Sequence, residues 1–146
     1  MTPREQLINL EKEDKYVFHG STRAGLKELN PSQAYHYLNS TERIEDGPPG
    51  VAASPYADIA IFRAILSIGR SGWESDGEGN IEFHSEQKVM DKAKDNKGFV
   101  YVLDKKDFHP KTGHLKETDW RSEKSAAPVY EIEVTYKDLP SNIAFN

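Results

Sequence analysis

The segment Tyr16-Val17-Phe18-His19-Gly20-Ser21 is the stretch that decides our prediction of the fold. Its apolar half predicts a buried strand, and that strand ends abruptly in a histidine, a glycine and a hydroxyl group. A glycine at a strand end lets a ligand approach the backbone closely. The segment therefore predicts a polar site at the end of a core strand. The structural alternative is a histidine that only hydrogen bonds a neighbouring carbonyl.

Length, charge and composition narrow the possible classes of protein. The chain has 146 residues, no cysteine and a formal net charge of -5, and we predict one domain spanning residues 1–146. The lack of cysteine excludes disulfides, thiolate metal sites and thiol nucleophiles. The negative charge disfavours duplex binding driven by counterion release. Because no apolar leader or membrane-length segment is evident, we expect a cytoplasmic protein without a membrane partner.

The flanking segments predict a mixture of strands and a few helices. Thr2-Pro3-Arg4-Glu5 is a capping-box pattern that begins a helix reaching about Glu13. Residues 32–42 also suggest a helix. Val51–Ala53 predicts a short strand. Ser54 caps the helix after it, which starts with Pro55 in its first turn and reaches about Ile68, since apolar residues recur there at helical spacing.

The second half of the chain adds strands. The glycine-rich stretch 69–79 suggests a loop. Gly98–Leu103 is a nearly continuous apolar run, typical of a strand buried on both faces. Pro128–Tyr136 alternates as a half-buried strand does. This order predicts an α+β domain with antiparallel pairing.

Four segments taken together resemble the ADP-ribosyltransferase-like family, as found in small bacterial and phage members. The resemblance extends from Tyr16 to Pro140 and is carried by residues 18–21, 50–64, 98–108 and 119–122. It implies two mainly antiparallel sheets packed around an NAD-binding cleft with flanking helices. It also implies an enzyme that uses NAD as a substrate, releases nicotinamide and transfers ADP-ribose to an unknown protein or nucleic-acid acceptor.

The resemblance also assigns the residues that would hold NAD. His19 would contact the nicotinamide-side ribose, and the backbone of Gly20 would pair with the nicotinamide amide, beside the hydroxyl of Ser21. A glycine backbone offers a donor and an acceptor together, as an amide requires. Phe62 would be the aromatic platform, with Tyr56 as the alternative. Ser54, which begins that helical segment, completes the expected binding set; no metal is expected.

The expected catalytic carboxylate is Asp119, which precedes Trp120 where relatives commonly carry glutamate. A carboxylate near the ribose favours the positive charge that develops as the N-glycosidic bond breaks. Glu117 and Glu123 flank this position and are the alternatives. The departures at Phe62 and Asp119 leave open a catalytically inactive binding module of the same fold. Transfer of an RNA 2′-phosphate onto NAD is disfavoured, because the sequence has no basic cluster.

Several other patterns have a functional and a structural interpretation. Arg23 and Arg63 suit contacts to a pyrophosphate, although solvated arginines are more common. The stretch 74–81 resembles the start of a calcium loop, but Ser85 occupies the closing glutamate position, which favours a plain acidic loop. Asp107, His109 and His114 are close in sequence, and loop histidines of this kind usually bind no metal.

Overall fold

The computed structural model describes residues 1–33, 35–37, 42–45, 48–66, 71–111 and 117–145. The helices in these ranges are α1 (Pro3–Lys12), α2 (Ala57–Ile65) and α3 (Gln87–Lys92). The strands in these ranges are β1 (Tyr16–Ser21), β2 (Tyr35–Tyr37), β3 (Arg43–Glu45), β4 (Val51–Ala53), β5 (Ser71–Ser75), β6 (Ile81–Ser85), β7 (Lys97–Asp104), β8 (His109–Pro110), β9 (Trp120–Ser122), β10 (Tyr130–Thr135) and β11 (Ile143–Phe145).

The apolar strand β7 is the centre of the fold, as its sequence predicts. It lies between β1 and β10 and pairs antiparallel with both. Because successive side chains point to opposite faces, Val100 and Val102 lie in one hydrophobic core, whereas Tyr101 and Leu103 lie in another. The prediction of a strand buried on both faces is confirmed.

Helix α2 supplies most of the first core. Seven of its nine residues are buried, and the helix packs against Phe18, Val100 and Val102 of the central sheet and against Phe83 of β6. The second core lies on the opposite face of the sheet and is smaller. Its buried members are Val17, Leu29, Val51, Ala53, Tyr101, Leu103 and Phe108.

Two glycines allow α2 to lie directly on the sheet. A Cβ atom on Gly20 would lie 2.0 Å from the carbonyl oxygen of Ala60, and one on Gly98 would lie 2.4 Å from that of Ala64. Both clashes are with helix backbone, which has no side-chain freedom to move away. Gly20 is therefore required by packing, independently of any ligand that meets its backbone.

Helix α1 holds the beginning of α2. Its own start has the predicted capping box, since Thr2 and Glu5 exchange hydrogen bonds. Arg4 forms a two-pronged ion pair with Asp58, with both distances 2.9 Å, and a carboxylate oxygen of Glu11 accepts from the Ala57 amide at 2.6 Å. A carboxylate at the first amide of a helix also interacts favourably with the helix dipole. These contacts fix the first turn of α2 against α1.

A backbone bridge joins the central sheet to the sheet formed by β4, β9 and β8. The amide of Phe18 donates to the carbonyl of Ser54 at 2.7 Å, and the amide of Ser54 donates back at 2.9 Å. The bridge is antiparallel, so the residue opposite Gly20 is Ala52 of β4. The carbonyl oxygen of Ala52 lies 2.6 Å from Nδ1 of His19, and the described pairing between the two strands stops at the bridge. The edge of β1 is therefore open at Gly20.

The expected α+β class and predominantly antiparallel pairing are confirmed, with a parallel pair between β6 and β11. The sheet count differs from the expected two: the described strands form three sheets of three strands and one of two strands. No helix in the described part of the chain has the length and apolar character needed to cross a membrane.

Two of the predicted elements were wrong. Tyr35–Tyr37 forms a strand paired with β3 instead of part of a helix over residues 32–42, because aromatic residues suit a strand that has a partner. Ser71–Ser75 pairs with β6 instead of lying in a loop over residues 69–79. Residues 34, 38–41, 69 and 70 of these segments lie outside the described residues, as do residues 67 and 68 at the predicted end of the helix that reaches about Ile68.

The packing of α2 on Gly98 gives a stability prediction. We expect Gly98→Ala to lower the free energy of unfolding by about 2–3 kcal/mol, because the new methyl group must displace helix backbone. Urea denaturation followed by circular dichroism measures this loss. Gly72→Ala is the matched control, since the new Cβ would meet only the ring of His84, at 3.2 Å and 3.3 Å. Equal stability of the two variants would contradict the proposed role of Gly98.

Candidate functional site

A small pocket opens beside the uncovered end of β1. Its walls come from β1, the segment from β4 into α2, β5 and the residues just before β9. The pocket is lined by Phe18, His19, Gly20, Ala52, Ala53, Ser54, Ile59, Ala60, Arg63, Trp73, Thr118 and Asp119. Its volume is about 80 Å³, well below the roughly 300–1,000 Å³ of sites that enclose an entire small-molecule ligand. It can therefore enclose one end of a ligand whose remainder lies outside.

His19 is fixed in the wall by one strong hydrogen bond. Its Nδ1 lies 2.6 Å from the carbonyl oxygen of Ala52. Because a carbonyl can only accept, Nδ1 must carry the proton, and in the neutral ring Nε2 is then an acceptor. Burial lowers the pKa of His19; the bond to Ala52 opposes this shift, and the positive charge of Arg63 adds to it. His19 is therefore a neutral, oriented acceptor at neutral pH.

Gly20 presents its backbone groups to the same pocket. Residues two apart in a strand direct their N–H and C=O groups to the same side. Phe18 uses those groups to pair with Ser54, so the equivalent groups of Gly20 point to the same edge, on the side of Ala52. The edge offers a ligand a donor and an acceptor side by side.

Trp73 and Arg63 form the opposite wall as a stacked pair. The guanidinium carbon of Arg63 lies 4.7 Å from the centroid of the Trp73 ring, a cation–π distance. Neighbouring protein atoms displace water from the Arg63 guanidinium and so lower its pKa. The Asp119 carboxylate opposes this shift, and the positive charge of Arg121 adds to it. A guanidinium nevertheless stays charged in proteins. The sequence analysis did not identify Trp73, because its strand was predicted to be a loop. A tryptophan within a glycine-rich stretch was the available signal.

Asp119 lines the pocket, and two cationic side chains lie close to its carboxylate. Arg121 donates to its two carboxylate oxygens at 3.0 Å and 2.9 Å, which is the strong bidentate geometry. Lys111 approaches one of these oxygens at 4.0 Å. The carboxylate is thereby fixed in orientation, and part of its charge is neutralised.

Ser54 is the other predicted residue that the structure brings to the pocket. It is buried, and its hydroxyl accepts from the amide of Tyr56 at 3.1 Å. Helix α2 begins at Ala57, so Ser54 shapes the turn before the helix and does not cap it directly. The structure thus brings together His19, Gly20, Ser54, Arg63 and Asp119.

Phe62, the predicted aromatic platform, lies in the core and not in the pocket wall. It is 2% exposed. Its ring meets Trp73 edge to face at 6.2 Å between centroids and Phe83 at 5.0 Å. Because it sits on the buried face of α2, Phe62 contacts the Trp73 ring from the core side. Trp73, and not Phe62, lines the pocket.

Tyr56 and Glu117 pair with each other beside the pocket. The Tyr56 hydroxyl donates to Glu117 at 2.8 Å, and burial together with this carboxylate raises the pKa of Tyr56 to about 12. Glu117 also accepts from Ser75 and, at 2.6 Å, from the amide of Gly79. Hydrogen bonds, chiefly from Ser75 and Tyr56, lower the pKa of Glu117. Through these hydrogen bonds, Glu117 links the segment before β9 to the end of β5 and to the β5–β6 connection.

The other candidates lie away from the pocket. The Ser21 hydroxyl accepts from the amide of Arg23 at 3.1 Å, as in a simple turn, and the Arg23 side chain is exposed. Glu123 is exposed and lines a separate groove of about 550 Å³ together with Asp107 and His109. His114 lies outside the described residues.

In the acidic loop after β5, the carboxylate of Asp76 is hydrogen bonded to groups of the same loop. Asp76 accepts from the amide of Glu78 at 2.7 Å and from the side chain of Asn80 at 2.6 Å. Within the ranges that the structure describes, no group of histidine, aspartate and glutamate side chains is arranged to hold a metal ion.

The chain was compared with protein-family models, with curated proteins and with solved structures. None of the three comparisons gives a match.

The lowered pKa of His19 gives a pH prediction. The unfolded chain binds a proton at His19 more readily than the folded chain does, so the stability from this site is present above about pH 6.5 and is lost as the pH falls through the folded pKa. His19→Asn keeps a side-chain N–H for Ala52 but cannot titrate. We therefore expect urea denaturation between about pH 7.5 and 5 to show a smaller loss of stability in this variant than in the parent.

The exposed His109 provides the matched control for this experiment. His109→Asn should retain the pH dependence of the parent. If His19→Asn and the parent lose stability in parallel, His19 is not the group responsible.

Proposed function

We propose that this pocket binds the nicotinamide end of NAD and that the chain transfers ADP-ribose from NAD to an acceptor. The observation that carries the proposal is the convergence of four complementary groups on one small pocket. They are the His19 acceptor, the backbone edge of Gly20, the Trp73 ring and the Asp119 carboxylate. These groups come from three distant parts of the chain, and packing of the core does not explain why all four meet there.

The groups in the pocket fit the parts of NAD in chemical type. An amide needs one donor and one acceptor, and the Gly20 edge has both. The Trp73 indole, which Arg63 covers on one face, adds an apolar wall beside the nicotinamide ring. A pyrophosphate needs a positive charge, and the guanidinium of Arg63 lies at the pocket wall. The volume of about 80 Å³ accommodates only one end of NAD, so its remainder would lie across the open side.

When bound, NAD supplies a ribose whose bond to the nicotinamide nitrogen breaks: nicotinamide leaves with the bonding electrons, and the acceptor atom forms the new bond and loses a proton. The Nε2 atom of His19 would accept from a ribose hydroxyl, because Ala52 holds the proton on Nδ1. The Asp119 carboxylate would favour positive charge on the ribose. Arg121 keeps that carboxylate in one orientation, so it would need no rearrangement during the reaction.

A second candidate function is NAD binding without cleavage. Both Asp119 oxygens are engaged by Arg121, and Lys111 lies at 4.0 Å. A carboxylate that is already paired with cations stabilises a further positive charge less effectively than an unpaired one. This observation supports an inactive binding module of the same fold as the second candidate.

Binding is tested by calorimetry with NAD. We expect His19→Ala to weaken binding about tenfold, the effect of losing one hydrogen bond in the pocket. His109→Ala is the matched control, because this exposed histidine lines the separate groove, and it should bind as the parent does. No measurable heat from the parent at millimolar NAD, or equal affinities of both variants, would refute the proposed binding mode.

Cleavage is tested by measuring nicotinamide released from NAD. We expect Asp119→Asn to slow release by about 10²-fold while NAD affinity changes little, because the lost charge matters mainly in the transition state. Glu123→Gln should release nicotinamide at the parent rate, since Glu123 lies outside the pocket. A parent that binds NAD and releases no nicotinamide would decide for the binding module.

A further inference from the structure

Two polar atoms in the pocket residues are buried without a partner. The indole nitrogen Nε1 of Trp73 and the hydroxyl oxygen of Thr118 have no hydrogen-bond partner among the described residues. Both residues line the pocket, and Thr118 is 2% exposed. The two atoms come from β5 and from the residue that precedes Asp119, so they are independent features of the chain.

Unpaired buried polar groups are uncommon in folded proteins, because each loses its hydrogen bonds to water without replacement. In the pocket each would be compensated once a ligand supplied a partner. Thr118 is especially informative, since a valine of nearly the same shape would fill its position without an unpaired group. Hydrogen bonding to a ligand would explain why position 118 has a hydroxyl group.

The chemistry of the pair restricts the ligand. An indole N–H only donates, so Trp73 requires an acceptor. An ammonium has no lone pair with which to accept from that N–H. The hydroxyl of Thr118 can donate to the same ligand group or accept from it. A neutral carbonyl or amide oxygen satisfies these conditions, and an ammonium does not.

We propose that Trp73 and Thr118 form a donor pair that selects ligands with a carbonyl oxygen at their buried end. The identification of that oxygen with the nicotinamide carboxamide rests on the proposed function; the donor pair itself does not. The pair determines specificity by contacting the ligand directly. Phe62 supports it by holding the Trp73 ring edge to face.

The experiment uses Thr118→Val and Trp73→Phe, which remove the hydroxyl and the indole N–H but keep the apolar shape. Calorimetry measures NAD affinity. Ligand-observed NMR compares nicotinamide with 3-methylpyridine, which lacks the carboxamide. We expect each variant to bind NAD about tenfold more weakly and to lose most of the preference for nicotinamide. Ligand-free Thr118→Val should have an unchanged or higher melting temperature, because an unpaired buried hydroxyl is removed.

Thr135→Val is the matched control. The Thr135 hydroxyl donates to Asp138 at 3.4 Å and lies outside the pocket, so this variant should have a lower melting temperature and unchanged NAD affinity. A purely structural role of Thr118 would give that same pattern and would overturn the proposal.

The remaining outcomes separate the two proposals. If the parent and Thr118→Val bind NAD equally and both prefer nicotinamide, the donor pair is refuted and NAD binding stands. If the parent does not bind NAD but distinguishes the two pyridines through Thr118, the donor pair stands and the proposed function fails. If the parent binds none of the three compounds, both proposals are refuted.

Discussion

The close approach of α2 to the central sheet is the constraint on which the rest of the structure depends. Gly20 and Gly98 leave room for helix backbone where any side chain would collide with it. This contact buries the apolar face of α2 against β1 and β7 and forms the larger core. It also fixes Arg63, on the same helix, beside the end of β1. A packing requirement of the core thus determines where the pocket lies.

The pocket exists because β1 and β4 separate after one bridge. The antiparallel bridge between Phe18 and Ser54 places Ala52 opposite Gly20, but the Ala52 carbonyl pairs with the His19 ring instead of the Gly20 backbone. Exposed strand edges normally attract another strand. Here α2, β5 and the segment before β9 surround the open end, so the remaining backbone groups face a cavity too small for a strand.

The electrostatics of the pocket differ from those of the chain as a whole. The protein has a formal net charge of -5, yet Arg63, Arg121 and Lys111 surround the single carboxylate of Asp119. His19 is kept neutral by burial. The pocket therefore combines fixed acceptors and donors with local positive charge. This combination suits a ligand whose polar end is attached to an anionic group.

The strands β1, β4 and β7 and the helices α1 and α2 could be predicted from sequence because local apolar periodicity and capping residues determine them. His19, Gly20, Ser54 and Asp119 could be proposed as site residues because each lies beside such an element, and the structure brings them to one pocket. The role of Phe62 could not be predicted in this way. Its helical spacing shows that it is apolar and inward, but not which other element it meets.

The sequence by itself determined the α+β character of the protein, its central doubly buried strand and the chemical types of groups at the strand end. Only the tertiary structure decided that Trp73 and not Phe62 lines the pocket and that Arg121 holds Asp119. It also decided that Thr118 is buried there without a partner among the described residues. These facts depend on contacts between residues far apart in the chain. Local sequence cannot specify them, because they follow from how α2 and β5 are placed against the sheet.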